Sequence, residues 1–175
     1  GDIAEGAAGV LVFFGIAFVI TALLLYWYSG SLMITSLALI CAIVPVIWLL
    51  GLLALLDLGI DPMSILVPFL IFSIGVSHAV QMTNAWKQQV LAGSDSVTAA
   101  KAAFSTIFIP GALALLMNAL GFGVIMLIDI PIVHELGITA CIGVMLMIIT
   151  NKIMLPLIIA HVHLERLGAD RDLAV

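Results

Sequence analysis

The chain has 175 residues, of which 65% are hydrophobic and only 9% are charged, and its net charge is −5. A soluble domain carries about a quarter charged residues, so this composition excludes soluble enzymes, nucleic-acid-binding proteins and disordered linkers. No Asp, Glu, Lys or Arg occurs between Gly6 and Leu56. Because about 20 apolar helical residues cross the hydrocarbon core of a bilayer, the sequence predicts an integral membrane protein or the membrane part of one.

Apolar runs separated by short polar segments predict five transmembrane helices, at residues 9–28, 32–56, 63–86, 105–128 and 132–160. The runs are too long and too uniformly apolar to be strands of a membrane barrel. After the third run, Asp95 is a typical N-cap residue, and the spacing that follows predicts an amphipathic surface helix over 95–104. The expected fold class is therefore all-α, a polytopic membrane helical bundle of five spans plus one cytoplasmic amphipathic helix.

Charged residues outside the spans predict the orientation. If the five spans alternate in direction, acidic residues alone occupy one side, and the other side holds the loop and tail cations Lys87, Lys101, Arg166 and Arg171. The positive-inside rule then places the N-terminus outside the cytoplasm and the C-terminus in it. Since the sequence opens without a signal peptide, we expect a fragment of a larger transporter, with another span and an external domain upstream of Gly1.

The third predicted span carries the clearest polar residues of the membrane region. Ser73, Ser77, Gln81 and Asn84 recur along one helix face beside His78, and Gly75 permits close approach of a neighbouring helix. Histidine exchanges protons near neutral pH, and ionisable residues at membrane depth are functional candidates. One interpretation is a proton relay or gate facing the bundle interior, and the other is a hydrogen bond that only fixes helix packing. Residue types alone leave both interpretations open.

The other polar residues of the spans have simpler interpretations. Asn118, near the middle of the fourth span, suits a hydrogen bond between helices. Lys152 approaches the cytoplasmic end of the fifth span, where its aliphatic stem is expected to let the ammonium reach the interface. Four prolines inside the predicted spans are expected to kink or break them: Pro45, Pro68, Pro110 and Pro156.

Metal, cofactor and enzymatic chemistry find no support in the sequence. Cys41 and Cys141 lie in apolar runs and are expected to be small buried residues. No His or Cys set has zinc spacing, and no glycine-rich nucleotide-binding motif occurs. Ser77 and His78 are consecutive and point apart on a helix, so they cannot pair directly as nucleophile and base. We therefore expect neither an enzyme nor a protein that needs a cofactor.

The order of these elements resembles spans two to six of one half of a resistance–nodulation–division (RND) transporter. The local sequences at Asp61–Phe69, Ile74–His78, Asn118–Phe122 and Asp129–Pro131 resemble the hydrophobe/amphiphile exporter branch, which is grouped with MMPL-type proteins. The same five-span unit is similar to the sterol-sensing domain.

The resemblance implies export of lipids or other hydrophobic molecules, driven by the proton-motive force across a bacterial cytoplasmic (inner) membrane. The implied partners are membrane lipids, the hydrophobic substrate, and a second half with its extracytoplasmic domains. Many relatives carry a proton-binding Asp in the region where Ser77 and His78 stand here. Our hypothesis is that His78 acts in a proton relay with Ser77, Gln81 and Asn118. The alternative is a bundle that senses or binds sterol-like lipid without pumping.

Overall fold

A computed structural model describes residues 2–29, 32–58 and 64–160, all of whose regular elements are helices. Five helical stretches in these ranges are long and apolar enough to cross a membrane. The predicted all-α bundle of five spans is therefore confirmed, whereas Arg166 and Arg171, used for the orientation, lie outside the described residues. The elements are α1 (Asp2–Ser29), α2 (Leu32–Leu55), a 3-10 turn (Ser64–Leu66), α3 (Val67–Leu91), α4 (Ser96–Ile125), α5 (Pro131–Ile149), a π-helical turn (Thr150–Met154) and α6 (Leu155–Ala160).

The surface helix predicted over 95–104 is not a separate element. Asp95 is the N-cap residue, as expected, but α4 then continues without interruption through the predicted boundary at Ser105 to Ile125. Alanines with high helix propensity fill this stretch and no Gly or Pro interrupts it before Pro110, so nothing in the local sequence ends the helix. The fourth span and the predicted surface helix are one helix.

Helices α2, α3 and α5 form the centre of the bundle, and α1 and α4 are largely exposed at its periphery. Helices α2 and α3 approach closely where a Cβ added to Gly75 would lie only 3.3 Å from Cα of Ala42. On α5, a Cβ added to Gly143 would lie 2.6 Å from Cδ1 of Ile71. Small residues allow membrane helices to approach closely, and the close approach predicted at Gly75 is confirmed.

Aromatic rings attach the peripheral helix α1 to α3. The ring of Phe14 lies 5.0 Å from that of Phe69 and 5.4 Å from that of Phe72, and Phe18 lies 5.7 Å from Phe72. Such edge and tilted pairs are favourable contacts between aromatic side chains. They fix one face of α1 and leave most of its remaining surface exposed.

One of the four prolines, Pro68, differs from the expectation of a kink or break inside a span, and Pro156 agrees with it. Pro68 is the second residue of α3, where the absent N–H breaks no helical hydrogen bond. Pro156 follows the π-helical turn, in which the Leu155 N–H donates to the Thr150 carbonyl oxygen five residues earlier. Because Pro156 cannot donate to the Lys152 carbonyl, a local π turn is a known way for the helix to continue past it. Pro45 and Pro110 lie inside α2 and α4, as predicted.

Candidate functional site

His78 lies at the middle of α3, on the face that packs into the bundle. Its side chain is only 7% exposed, and its neighbour Ala79 is fully buried. The imidazole Nδ1 is buried and has no hydrogen-bond partner among the described residues. Buried polar atoms are nearly always hydrogen-bonded, so this nitrogen is an exception that calls for a physical explanation.

A second ionisable group, the ammonium of Lys152, lies near His78 beside Gly111 of α4. The ammonium nitrogen of Lys152 occupies the space that a Cβ on Gly111 would need, and Lys152 Cε lies 3.0 Å from that Cβ position. His78 Nδ1 lies 3.6 Å from the same position. The lysine and histidine side chains therefore meet over Gly111, in a gap that exists because residue 111 has no side chain.

Lys152 is deeply buried, with 5% of its surface exposed, and the prediction that its ammonium reaches the interface is wrong. Side chains on a helix lean toward its N-terminus. In the fifth span that direction leads away from the nearer end at Ala160 and toward the middle of the bundle. The geometry of the helix thus directs the lysine to Gly111.

The π-helical turn places three consecutive polar side chains inside the bundle: Thr150, Asn151 and Lys152 are 0%, 2% and 5% exposed. The Thr150 hydroxyl donates to the carbonyl oxygens of Leu146 at 3.3 Å and Met147 at 3.1 Å. The Asn151 side-chain nitrogen donates to Met147 O at 3.4 Å, but its buried Oδ1 has no partner among the described residues. This polar triplet is therefore only partly satisfied.

No carboxylate lies in the middle of the spans, where it could neutralise the lysine. The sequence has no Asp or Glu in residues 6–56, 64–94, 96–128 or 136–160. Buried charges in proteins are normally paired because desolvation of an isolated ion is costly. The pair of His78 and Lys152 over Gly111, which we call the basic cluster, thus brings two nitrogen bases together without a neighbouring carboxylate.

The other predicted relay residues lie elsewhere. Ser77 and Gln81 are exposed on the outer surface of α3, so the prediction that they face the interior of this bundle is wrong. Asn118 is half-buried on α4, about two helical turns from Gly111, and is not brought to His78. Neighbouring positions on a helix point roughly 100° apart, and the buried side of α3 is the one that carries His78.

A cavity of about 260 Å³ opens among α1, α2 and α3, toward the end of α3 that carries Lys87. Its apolar wall includes Leu25, Ile34 and Val80, and its polar wall includes Asn84 and Lys87. A pocket that combines apolar side chains with several polar ones has the character of a site for an amphiphilic molecule.

Residues 28–167 match the family model described as "Sterol-sensing domain of SREBP cleavage-activation". The chain belongs to the sterol-sensing domain family. Comparison with curated proteins and with solved structures finds no match. The predicted similarity to the sterol-sensing domain is thus confirmed, and the family indicates a membrane protein involved in sterol or lipid sensing or transport. The matched region of this sterol-sensing domain contains the whole basic cluster and nearly all of the cavity.

The buried position of Lys152 is the feature of the site that differs most from the sequence prediction. Its signal was present as the polar triplet Thr150-Asn151-Lys152 inside an apolar span, with Pro156 four residues beyond the lysine. This proline deprives the Lys152 carbonyl of its helical donor and so favours a local irregularity. Nothing in the sequence, however, connects Gly111 with His78 or Lys152, because that contact depends on how three helices pack.

The cysteines of this sterol-sensing domain are free thiols, and the predicted burial is found for Cys41 but only in part for Cys141. Cys41 is fully buried, and Cys141 is half-buried with its Sγ donating to Ala119 O at 3.4 Å. The described part of the chain contains no group of three or more His, Cys, Asp or Glu side chains that could hold a metal ion.

Proposed function

We propose that this sterol-sensing domain is part of an exporter of lipids or other hydrophobic and amphiphilic molecules, driven by the proton-motive force, in the MMPL-like branch of the RND superfamily. The observation that carries this proposal is the buried His78, whose Nδ1 has no partner among the described residues and which lies beside the buried Lys152. Ionisable residues at membrane depth are costly and mark proton pathways in pumps and transporters.

The basic cluster offers a physical link between protonation and helix arrangement. When His78 takes up a proton, two cations face each other over Gly111 in a region of low dielectric, where their repulsion is strong. That repulsion favours an arrangement in which α3 lies farther from the π-helical turn. Release of the proton restores the closer arrangement, so proton binding selects between two states of the bundle.

The outer face of α3 supports the proposed second half of the transporter. Ser73, Ser77 and Gln81 are exposed on this bundle, yet in lipid their polar groups would lack hydrogen-bond partners. A facing helix from the second half supplies such partners. In this proposal Ser77 and Gln81 act at the contact between the two halves, whereas His78 acts inside one half.

The proposed orientation has the N-terminus outside the cytoplasm and a bacterial inner membrane as the site. Lys87 near the end of α3 and Lys101 near the start of α4 lie at the same end of the bundle, because a turn of only a few residues joins the two helices. This turn contains Gly93, with φ 103°. Two cations at one end agree with a cytoplasmic location of that end.

The test is proton-driven lipid export by the full-length transporter in proteoliposomes with an imposed pH gradient. His78→Gln keeps a hydrogen-bonding side chain but cannot take up a proton, so we expect at least a tenfold loss of gradient-dependent export. His134→Gln is the matched control, because His134 is exposed at the start of α5. Export by His78→Gln at the rate of the unsubstituted protein would overturn the proposal.

The cavity favours a second candidate function, in which the domain binds a sterol-like lipid and reports its presence without pumping. Its apolar wall and its polar end match the two ends of an amphiphile. A photoactivatable sterol incorporated into the same proteoliposomes tests this. Labelling that is lost when Val80→Trp fills the cavity, together with no gradient-dependent export, supports the sensor and contradicts the exporter.

A further inference from the structure

His78 and Lys152, the two side chains of the basic cluster, have complementary hydrogen-bonding groups. His78 Nδ1 is buried without a partner among the described residues, and Lys152 is only 5% exposed with no acidic residue in the middle of the spans. A neutral imidazole has one nitrogen that accepts a hydrogen bond, whereas an ammonium group has three donors and no acceptor. Each side chain therefore offers what the other lacks.

Gly111 makes their meeting possible. The ammonium nitrogen lies where a Cβ of residue 111 would be, and His78 Nδ1 is 3.6 Å from the same point. Any larger residue at position 111 would displace the ammonium or separate it from the imidazole. Other glycines on the same helix, Gly121 and Gly123, have nothing within 4 Å of an added Cβ, so the requirement for glycine is specific to this position.

The π-helical turn sets the direction of Lys152. The turn contains one more residue than a regular α-helical turn, as shown by the bond from the Leu155 N–H to the Thr150 oxygen. Conversion of the turn to a regular α-helix rotates the preceding and following residues relative to one another by roughly 100°. The irregular turn therefore determines whether the lysine and the faces of α5 and α6 point inward together.

We propose that Lys152 is the proton partner of His78, and that the two side chains share one exchangeable proton across Gly111. In the transfer, one N–H bond of the Lys152 ammonium breaks and one N–H bond forms at His78 Nδ1. The products are a neutral amine and an imidazolium, and the total charge of the pair stays +1 until the amine takes up a second proton, which creates the two facing cations of the proposed switch. This inference rests on the proposed function, for which it identifies the group that exchanges the proton with His78.

Few other ionisable groups belong to the helices packed around the pair. Away from the helix ends these are the thiols of Cys41 on α2 and Cys141 on α5. The remaining groups of the described helices lie toward the helix ends: Glu5, Tyr26, Tyr28, Lys87, Lys101, His134 and Glu135. A proton on the pair is therefore shared by the two nitrogen bases and not taken by a nearby carboxylate.

The direct test is ¹⁵N NMR of the full-length protein in lipid, labelled on histidine, with the His78 signals assigned by their absence in His78→Gln. Lys152→Met has a similar length but no proton to share. We expect this substitution to shift the Nδ1 resonance of His78 toward that of an unbonded imidazole nitrogen. An unchanged Nδ1 resonance in Lys152→Met would overturn the pairing.

The second test uses the space over Gly111. We expect Gly111→Ala to lower gradient-dependent export at least tenfold and to shift the His78 Nδ1 resonance in the same direction as Lys152→Met. Gly121→Ala is the matched control and should leave both unchanged. A Gly111→Ala protein with unaltered export and an unaltered resonance would contradict the proposal.

The two tests separate this inference from the proposed function. If His78→Gln abolishes export but Lys152→Met leaves the His78 resonance unchanged, the exporter stands and the pairing is wrong. If the unsubstituted protein shows no gradient-dependent export but Lys152→Met shifts the resonance, the pairing stands and the exporter is wrong.

Discussion

The two faces of α3 present opposite combinations of polarity and burial. The inner face carries the small residues Gly75 and Ala79 with the ionisable His78, all buried, whereas the outer face exposes Ser77 and Gln81. In water, the more polar face of a helix is expected outside because the hydrophobic effect buries the other. In a membrane the surroundings are as apolar as the protein interior. A polar helix face therefore indicates contact with protein or water and not with lipid, and it does not show whether that face lies inside or outside the bundle.

The inner and outer faces of α3 therefore have different roles. The inner face is complete within the described bundle, since it packs closely on α2 and holds His78 against Gly111 and Lys152. The outer face has polar groups that no described helix covers. One face therefore holds the proposed switch, and the other provides the surface on which the second half is proposed to pack.

The largest effect is expected from disrupting the inner face at its closest contact. Gly75→Leu places a side chain against the backbone of Ala42, 3.3 Å from the added Cβ, and backbone atoms cannot move aside as a side chain can. Overpacking of this kind costs about 2–3 kcal/mol. Reversible unfolding of the protein in mixed micelles, followed by the helical signal in circular dichroism, measures the loss.

Gly51→Leu on α2 is the matched control, because nothing lies within 4 Å of a Cβ added there. We expect it to leave the free energy of unfolding almost unchanged. Equal losses for the two substitutions would show that α2 and α3 are not packed as closely as the structure indicates.

A smaller effect of opposite sign is expected at Lys152. Lys152→Met replaces a buried ammonium, which has no carboxylate in the middle of the spans, with an apolar side chain of similar length. Exchange of buried charges for apolar groups is often stabilising, so we expect the free energy of unfolding to rise by about 1 kcal/mol while proton coupling is lost. The same unfolding measurement, combined with gradient-dependent export, checks both parts.

Leu146→Met, at a half-buried apolar position on α5, is the comparison for Lys152→Met. It should change neither the stability nor the export appreciably. A marked loss of stability in Lys152→Met would show that the lysine stabilises the bundle. The expectation that the buried lysine serves proton coupling at a cost in stability would then be wrong.

The number of spans could be predicted because it depends only on local composition. A backbone in lipid must satisfy its own hydrogen bonds, so each long apolar run becomes a helix whatever its neighbours are. The end of the surface segment at Ser105 could not be predicted in the same way. Polarity changes there, but nothing in the backbone requires the helix to stop, and α4 continues.

The candidate site was only half predictable. His78 was identified because an ionisable residue in an apolar run is unusual in any packing arrangement. The roles expected of Ser77 and Gln81 inside the bundle depended on which face of α3 is buried, and helical spacing does not determine that. The short distance from Lys152 to the end of the span predicts an ammonium at the interface. The side chain instead leans toward the N-terminus of the helix, and this direction takes it into the bundle.

The smallest effect on the fold is expected on the outer face, where it separates folding from assembly. Gln81→Leu removes an exposed amide from the outer face of α3. Substitutions away from packed contacts usually change stability within about 0.5 kcal/mol, so unfolding of the bundle should hardly change. Association with the second half should nevertheless weaken, because the amide has lost its hydrogen bond across the contact.

Disulfide crosslinking between the halves measures that association, and Gln89→Leu, exposed near the end of α3, serves as its control. If Gln81→Leu leaves both crosslinking and export as they are, the outer face is not the contact, and its polar residues need another explanation than a second half.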